Sequence, residues 1–197
     1  MTSAAKPLNK IEPFDPDKHN RAAFSCGVEQ VDNYFKRTAN KLAQADNIRL
    51  YVMVSPDEEV IGFYATNGHS VDYTELPHRY ARNRPGHGNI PAAYISMIGV
   101  DQRFSGNGFG GDLLVDALTR ITQVSEAMGI AVVMLDVLDC GDPDLVERRK
   151  NLYTGYGFTP LPSEELRLFM PIATVRALIE RDEVIGEANT GIEPVAC

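Results

Sequence analysis

The chain has 197 residues, 44% of them hydrophobic and 23% charged, with a formal net charge of −8. That length gives one domain room for a sizeable core, and the acidic balance excludes a nucleic-acid-binding coat spread over the whole surface. No apolar run reaches the roughly eighteen residues of a membrane-spanning helix, and the opening MTSAAKPLNKIEPFDPDKH has no apolar core and does not read as a signal peptide.

Residues 1–20 carry Pro7, Pro13 and Pro16 and read as a loose lead-in around a short strand. Residues 25–46 place apolar side chains at Val28, Val31, Tyr34, Phe35, Ala39 and Leu42, a helical spacing. Residues 49–68 read as a hairpin, with two β-rich runs around a Pro-Asp turn. A loop dense in Pro, Gly, Arg and His follows over 76–91, then a buried strand over 92–100. After a glycine-rich loop comes a helix from about Gly110 to Met128, and then a second buried strand over 131–138. Residues 143–157 read as a helix with Pro143 near its start and Gly157 at its end, and residues 167–172 as a last strand. The order of elements predicts an α/β fold with a mixed sheet.

Cys26, Cys140 and Cys197 are odd in number and form no CxxC, which argues against a disulfide framework or a zinc site. They fit reduced thiols in a cytoplasmic protein. Residues 180–197 hold Glu180, Asp182, Glu183, Glu187 and Glu193 against Arg181, half of the net charge of the whole chain. The reading is one domain over 1–179 and an acidic tail over 180–197. Three basic clusters stand out: Lys36, Arg37 and Lys41; Arg79, Arg82 and Arg84; Arg148, Arg149 and Lys150. Each reads first as a solvated face.

The segment RFSGNGFGGDLL contains Gly106, Gly108, Gly110 and Gly111 at the head of the long helix. Backbone N–H groups at such a helix start can converge on a phosphate, and glycines let it approach the main chain. A P-loop is excluded, because no Lys-Ser or Lys-Thr follows. Gly106, Gly108 and Gly111 satisfy G-x-G-x-x-G, with Asp136 at the end of the next strand. However, Asp101 to Ser105 separate the preceding strand from the first glycine, and too little chain follows the second strand to complete a dinucleotide domain.

The run VDQRFSGNGFGGDLLVDAL, with the strand, helix and NLYTGYGF that follow it, resembles the GNAT superfamily of N-acetyltransferases over roughly residues 8–172. The resemblance implies a mostly antiparallel central sheet flanked by helices, with a V-shaped cofactor cleft between the two middle strands. It implies acetyl-CoA as cofactor, its pyrophosphate held by Ser105, Gly106, Asn107, Gly108, Phe109, Gly110 and Gly111. Gly108 and Gly110 take the two glycine places of the family loop, and Ser105 stands where the family has Arg or Gln. Ile98, Gly99 and Val100 fall nearest the acetyl group, where an amide would polarise the thioester carbonyl. Tyr153 matches the family's proton donor to the leaving thiolate. The residues alone leave open whether Tyr153 packs or reacts.

AFSCGVEQVDNYFKRTANKLAQ and RLFMP are also similar to the GNAT toxins of bacterial toxin–antitoxin pairs. That branch implies the amino group of aminoacyl-tRNA as acceptor and an antitoxin as partner. This chain departs from it at Ser96-Met97, where the branch often has Gly-Arg, and in CGDPDLVERRKN, which reads as an insertion. For a tRNA acceptor, residues 79–84 and 148–150 would meet phosphates. The other readings are a small-molecule or peptide or protein amine as acceptor, and an acyl-CoA-binding module without turnover. A homodimer is compatible with each. Asp101 and Glu126 are the available acids, and His69, His78 and His87 read as surface residues without metal-ligand spacing.

Overall fold

The structure, a computed structural model, describes residues 9–83 and 85–185. Seven strands form one sheet: β1 (Lys10–Pro13), β2 (Arg49–Val54), β3 (Val60–Asp72), β4 (Asn89–Val100), β5 (Val132–Asp136), β6 (Thr159–Pro160) and β7 (Arg167–Pro171). Their order is β1-β2-β3-β4-β5-β7-β6. Every neighbouring pair is antiparallel except β4 with β5. The expected mixed, mostly antiparallel sheet is therefore present. Among the described residues no helix is long and apolar enough to cross a membrane.

Helices cover both faces. On one lie α1 (Glu29–Asn33), a π-helical turn (Tyr34–Thr38) and α2 (Ala39–Gln44), read from sequence as one continuous helix. Their Val31, Phe35 and Ala39 are buried against Phe24, Val52 and Phe63. The Phe35 and Phe63 rings stack with centroids 4.1 Å apart. On the other face lies α4 (Phe109–Ala127), which buries Leu113, Leu114, Ala117, Leu118 and Ile121. That stripe follows the 3.6-residue period and turns the polar side of α4 to solvent. Between them in sequence, α3 (His78–Ala81) is a short turn inside the segment read as loop.

α5 (Pro143–Gly155) starts as the sequence predicts: the Asp142 carboxylate caps it by accepting from the amides of Asp144 and Leu145 at 3.0 and 3.3 Å, and Pro143 follows. α6 (Ile172–Ile185) was not expected. Its Val175 is fully buried, and Leu178 and Ile179 pack on the core shared with α4. The boundary drawn at 179 and 180 from charge thus falls inside a helix, because apolar burial over 172–179 carries the helix onward into acidic residues. The rest of the acidic tail, 186–197 with Cys197, lies outside the described residues.

Candidate active site

β4 and β5 pair over four residues only, from Ala92 with Val132 to Ile95 with Leu135. Beyond that point β4 runs on to Val100 while β5 ends at Asp136. The parting coincides with a bulge. Ile95 pairs with Thr66 and Met97 with Ala65, so Ser96 is skipped in the register with β3. The extra residue bends the strand and puts Ile95 and Ile98 in the same core layer. A cleft of about 350 Å³ opens there. Residues 94–98 of one strand and 135–139 of the other line it, together with Gln30, Val31 and Tyr153.

The backbone of β4 offers hydrogen-bonding groups to this cleft. The Asp101 amide donates to the Ile61 carbonyl at 2.8 Å. Alternation along an antiparallel strand then turns the peptide groups of Gly99 toward β3 and those of Ile98 and Val100 away from it. Gly99 has a packing task as well: a Cβ there would stand 2.9 Å from Val31 and 3.2 Å from Phe63.

The glycine loop lies beyond the end of β4. A 3₁₀ turn (Gln102–Phe104) is capped by Asp101, and Gly108 then takes φ 79° and ψ −3° as N-cap of α4. This left-handed conformation is one that glycine adopts without a Cβ clash. The amides of Gly106, Asn107, Gly108, Phe109 and Gly110 donate no hydrogen bond among the described residues. They sit at the positive end of a 19-residue helix, an arrangement suited to a pyrophosphate. The Asn107 side chain braces the loop by donating to the carbonyls of Phe104 and Ser105 at 2.9 and 3.3 Å. Ser105 is exposed, and its own amide is bonded to Gln102.

Tyr153 enters the cleft from α5. It is 8% exposed and meets Phe158 edge-on, with ring centroids 6.2 Å apart. The cleft therefore has backbone groups on one strand and a phenol in its lining, and a helix start with unbonded amides follows the end of that strand.

No family model matches the chain. It is 62% identical over 179 residues to the probable toxin TacT of Sinorhizobium fredii (strain NBRC 101917 / NGR234), covering 90% of this chain and 98% of that protein. The chain belongs to the TacT toxin family. This TacT-family chain is also 28% identical over 163 residues to a tRNA-acetylating toxin of Mycobacterium tuberculosis (strain ATCC 25618 / H37Rv), covering 83% and 92% of the two chains. The solved structure of AtaT complexed with acetyl-methionyl-tRNAfMet superposes with a TM-score of 0.75 at 23% identity, covering 87% of this chain and 99% of that one. The fold is that of the GNAT toxins.

The opening motif of the TacT-family chain has a structural task at this site. Phe24 and Cys26 are buried. The Asp32 carboxylate accepts from the Cys26 amide at 2.8 Å and from the Ser25 hydroxyl at 3.0 Å. Ser25 in turn accepts from the Gln102 amide and donates its own amide to Asp101. A Cβ on Gly27 would fall 1.9 Å from the Gln102 side chain. The F-x-C-G segment thus docks against the base of the glycine loop.

Several sequence expectations change in the TacT-family structure. Burial works to raise the Asp101 carboxyl, but hydrogen bonds from Arg103 and the Ser25 amide outweigh it and hold it below its ordinary value. That is a structural anion, not a base. Glu126 is exposed on α4. The triplet 148–150 is not a basic face: Arg149 is 6% exposed and Lys150 pairs with Glu165, which leaves only Arg148 in solvent. In the second cluster Arg79 and Arg82 are exposed, and Arg84 lies outside the described residues.

Sequence reasoning also missed a polar cluster at the cleft. The Tyr94 hydroxyl donates to Asp136 at 2.7 Å, and Arg167 grips the same carboxylate at 2.8 and 3.0 Å. Burial raises the Asp136 carboxyl, yet Arg167 and Tyr94 together bring it below its ordinary value. The same burial and hydrogen bond push the Tyr94 phenol up. Asp136, the false ribose ligand of the dinucleotide pattern, is an anion held between two donors.

Proposed function

We propose that this protein transfers an acetyl group from acetyl-CoA to the amino group of aminoacyl-tRNA, and that it works in the cytoplasm as the toxin of a toxin–antitoxin pair. The observation that carries the reading is the parting of β4 and β5, which opens a cleft lined by Tyr153, together with the helix start at residues 106–110, whose amides make no described hydrogen bond. Membership of the TacT family supports it, as does the likeness to a tRNA-acetylating toxin.

Bound acetyl-CoA supplies an activated acetyl group. The amides of residues 106–110 hold the pyrophosphate at the start of α4. The cleft-facing peptide groups of Ile98 and Val100 align the pantetheine arm and polarise the thioester carbonyl. The acceptor nitrogen attacks that carbonyl carbon as the carbon–sulfur bond breaks. Tyr153 gives its hydroxyl proton to the departing sulfur, the proton lost by the amine goes to solvent, and Tyr153 regains a proton from solvent. The α-amino group of an aminoacyl ester has a low proton affinity and needs no dedicated base. This agrees with a cleft in which the Asp136 carboxylate is committed to Tyr94 and Arg167.

Tyr153→Phe tests the assignment. A lost general acid lowers kcat by about 10²–10⁴-fold, while acetyl-CoA affinity, measured by titration calorimetry, stays at the wild-type value. Wild-type kcat in the variant would remove Tyr153 from the mechanism.

A further inference from the structure

α5 buries two of its residues, Arg149 and Tyr153. They are four apart, so they stand one above the other on the inward face, and both line the cleft. Of its neighbours, Arg148 is in solvent and Lys150 is paired to Glu165. Arg149 alone turns inward. Its Nη1 donates to the Leu138 carbonyl at 3.1 Å and to the Cys140 Sγ at 3.1 Å.

Both acceptors lie on the segment that joins β5 to α5, and Leu138 and Asp139 of that segment form a cleft wall. The same segment is tied at its start by the Val137 amide to Leu166, at 2.7 Å, and at its end by the Asp142 cap. Arg149 is the tie between those two points. A guanidinium is costly to bury, and an apolar side chain would fill the same space at lower cost. What the apolar side chain lacks is a directional hold on two points of the wall. The Asp142 amide, and after it the Arg149 guanidinium, draw the Cys140 thiol below its ordinary pKa.

We propose that Arg149 is a positioning residue for the acetyl transfer: it clamps the β5–α5 segment to the helix turn that precedes Tyr153, and so fixes the phenol against the opposite wall of the cleft. The inference rests on the acetyltransferase reading. It predicts a residue that acts on turnover through Tyr153, not on cofactor binding, since Leu138 and Cys140, which it holds, lie on the β5–α5 segment and not on β4 or the glycine loop.

A double-mutant cycle tests it, with kcat on aminoacyl-tRNA and acetyl-CoA affinity measured for each protein. Arg149→Met is expected to lower kcat on the order of 10²-fold, the scale of a misplaced catalytic group, with acetyl-CoA affinity unchanged. In a Tyr153→Phe background the same substitution is expected to cost no more than about 3-fold, because groups acting as a unit are not additive. Arg149→Lys, which keeps one charged donor, restores part of the loss. Should Arg149→Met fail to fold, Arg149→Lys and Cys140→Ala carry the same comparison in both backgrounds, with smaller losses. Equal losses in the two backgrounds, or a fall in acetyl-CoA affinity that accounts for the fall in rate, would overturn the proposal. A wild-type protein that transfers no acetyl group would defeat the acetyltransferase reading as well.

Discussion

Gly108 and Tyr153 are the two residues on which the proposed site turns, and each rests on a different physical requirement. Gly108 holds φ 79° at the start of α4. Any other residue there meets a clash of its Cβ with the backbone worth about 1–2 kcal/mol. Gly108→Ala is therefore expected to lower unfolding stability by about that amount and to weaken acetyl-CoA binding, because relief of the strain turns the free amides of the loop away from one another. Chemical denaturation and calorimetry check the two effects. Unchanged acetyl-CoA affinity would show that the loop is not the pyrophosphate cradle. Ser105, in the family's Arg or Gln place, has an exposed side chain and a backbone already bonded within the loop. The five free amides are therefore the donors that the loop offers.

At the scale of elements, α4 is the support on which the loop stands. Leu118 is fully buried in its core stripe, and Leu118→Ala is expected to cost about 2–5 kcal/mol in denaturant unfolding. A loss within experimental error would place the stripe outside the core. β1, paired along β2, also carries a cluster of charges. Glu12 accepts from Lys18 at 2.5 Å and from His19 at 2.8 Å, and it pairs with Lys10 at 3.0 Å. These partners, Lys18 foremost, lower the Glu12 carboxyl from its ordinary 4.5 to about 2. A carboxyl depressed in the folded state contributes stability that is present above the unfolded value and is lost as pH falls through the folded one. Melting of the wild type should therefore fall more steeply between pH 4.5 and about 2 than melting of Glu12→Gln. Parallel curves would mean that the cluster adds nothing. The elements were legible where burial is periodic or a cap is polar, as in α4 and α5. α6 was not read, although Ile172, Val175, Leu178 and Ile179 have helical spacing, because the acidic residues that follow drew the boundary to 180. The π-helical turn at Tyr34–Thr38 and the bulge at Ser96 add one residue to a regular element, and nothing in the local residue types marks that addition.

At the scale of the whole molecule, the glycine loop that we propose as the phosphate cradle was legible in the sequence, and most of the cleft was hidden. The glycines announce themselves, since few other uses of the chain need so many before a firm helix. Tyr153 was legible only through resemblance, because a tyrosine on an amphipathic helix packs as readily as it reacts. Arg149 was misread for a physical reason. A basic triplet looks like a solvated face until the turn of the helix sends its middle member inward. Tyr94, Asp136 and Arg167 come from three separate strands and meet only in the folded sheet. Binding to such a site also acts on the entire fold. Acetyl-CoA at about a hundred times its dissociation constant should stabilise the protein by about 2.7 kcal/mol, seen as a rise in melting temperature that free acetate does not reproduce. The most direct measurement of the central claim offers the wild-type protein acetyl-CoA labelled in the acetyl group, together with charged and with deacylated tRNA. The account predicts label on the charged tRNA alone, released as N-acetyl amino acid when the ester is hydrolysed. Label on neither tRNA, or label that stays with the RNA after ester hydrolysis, would contradict it.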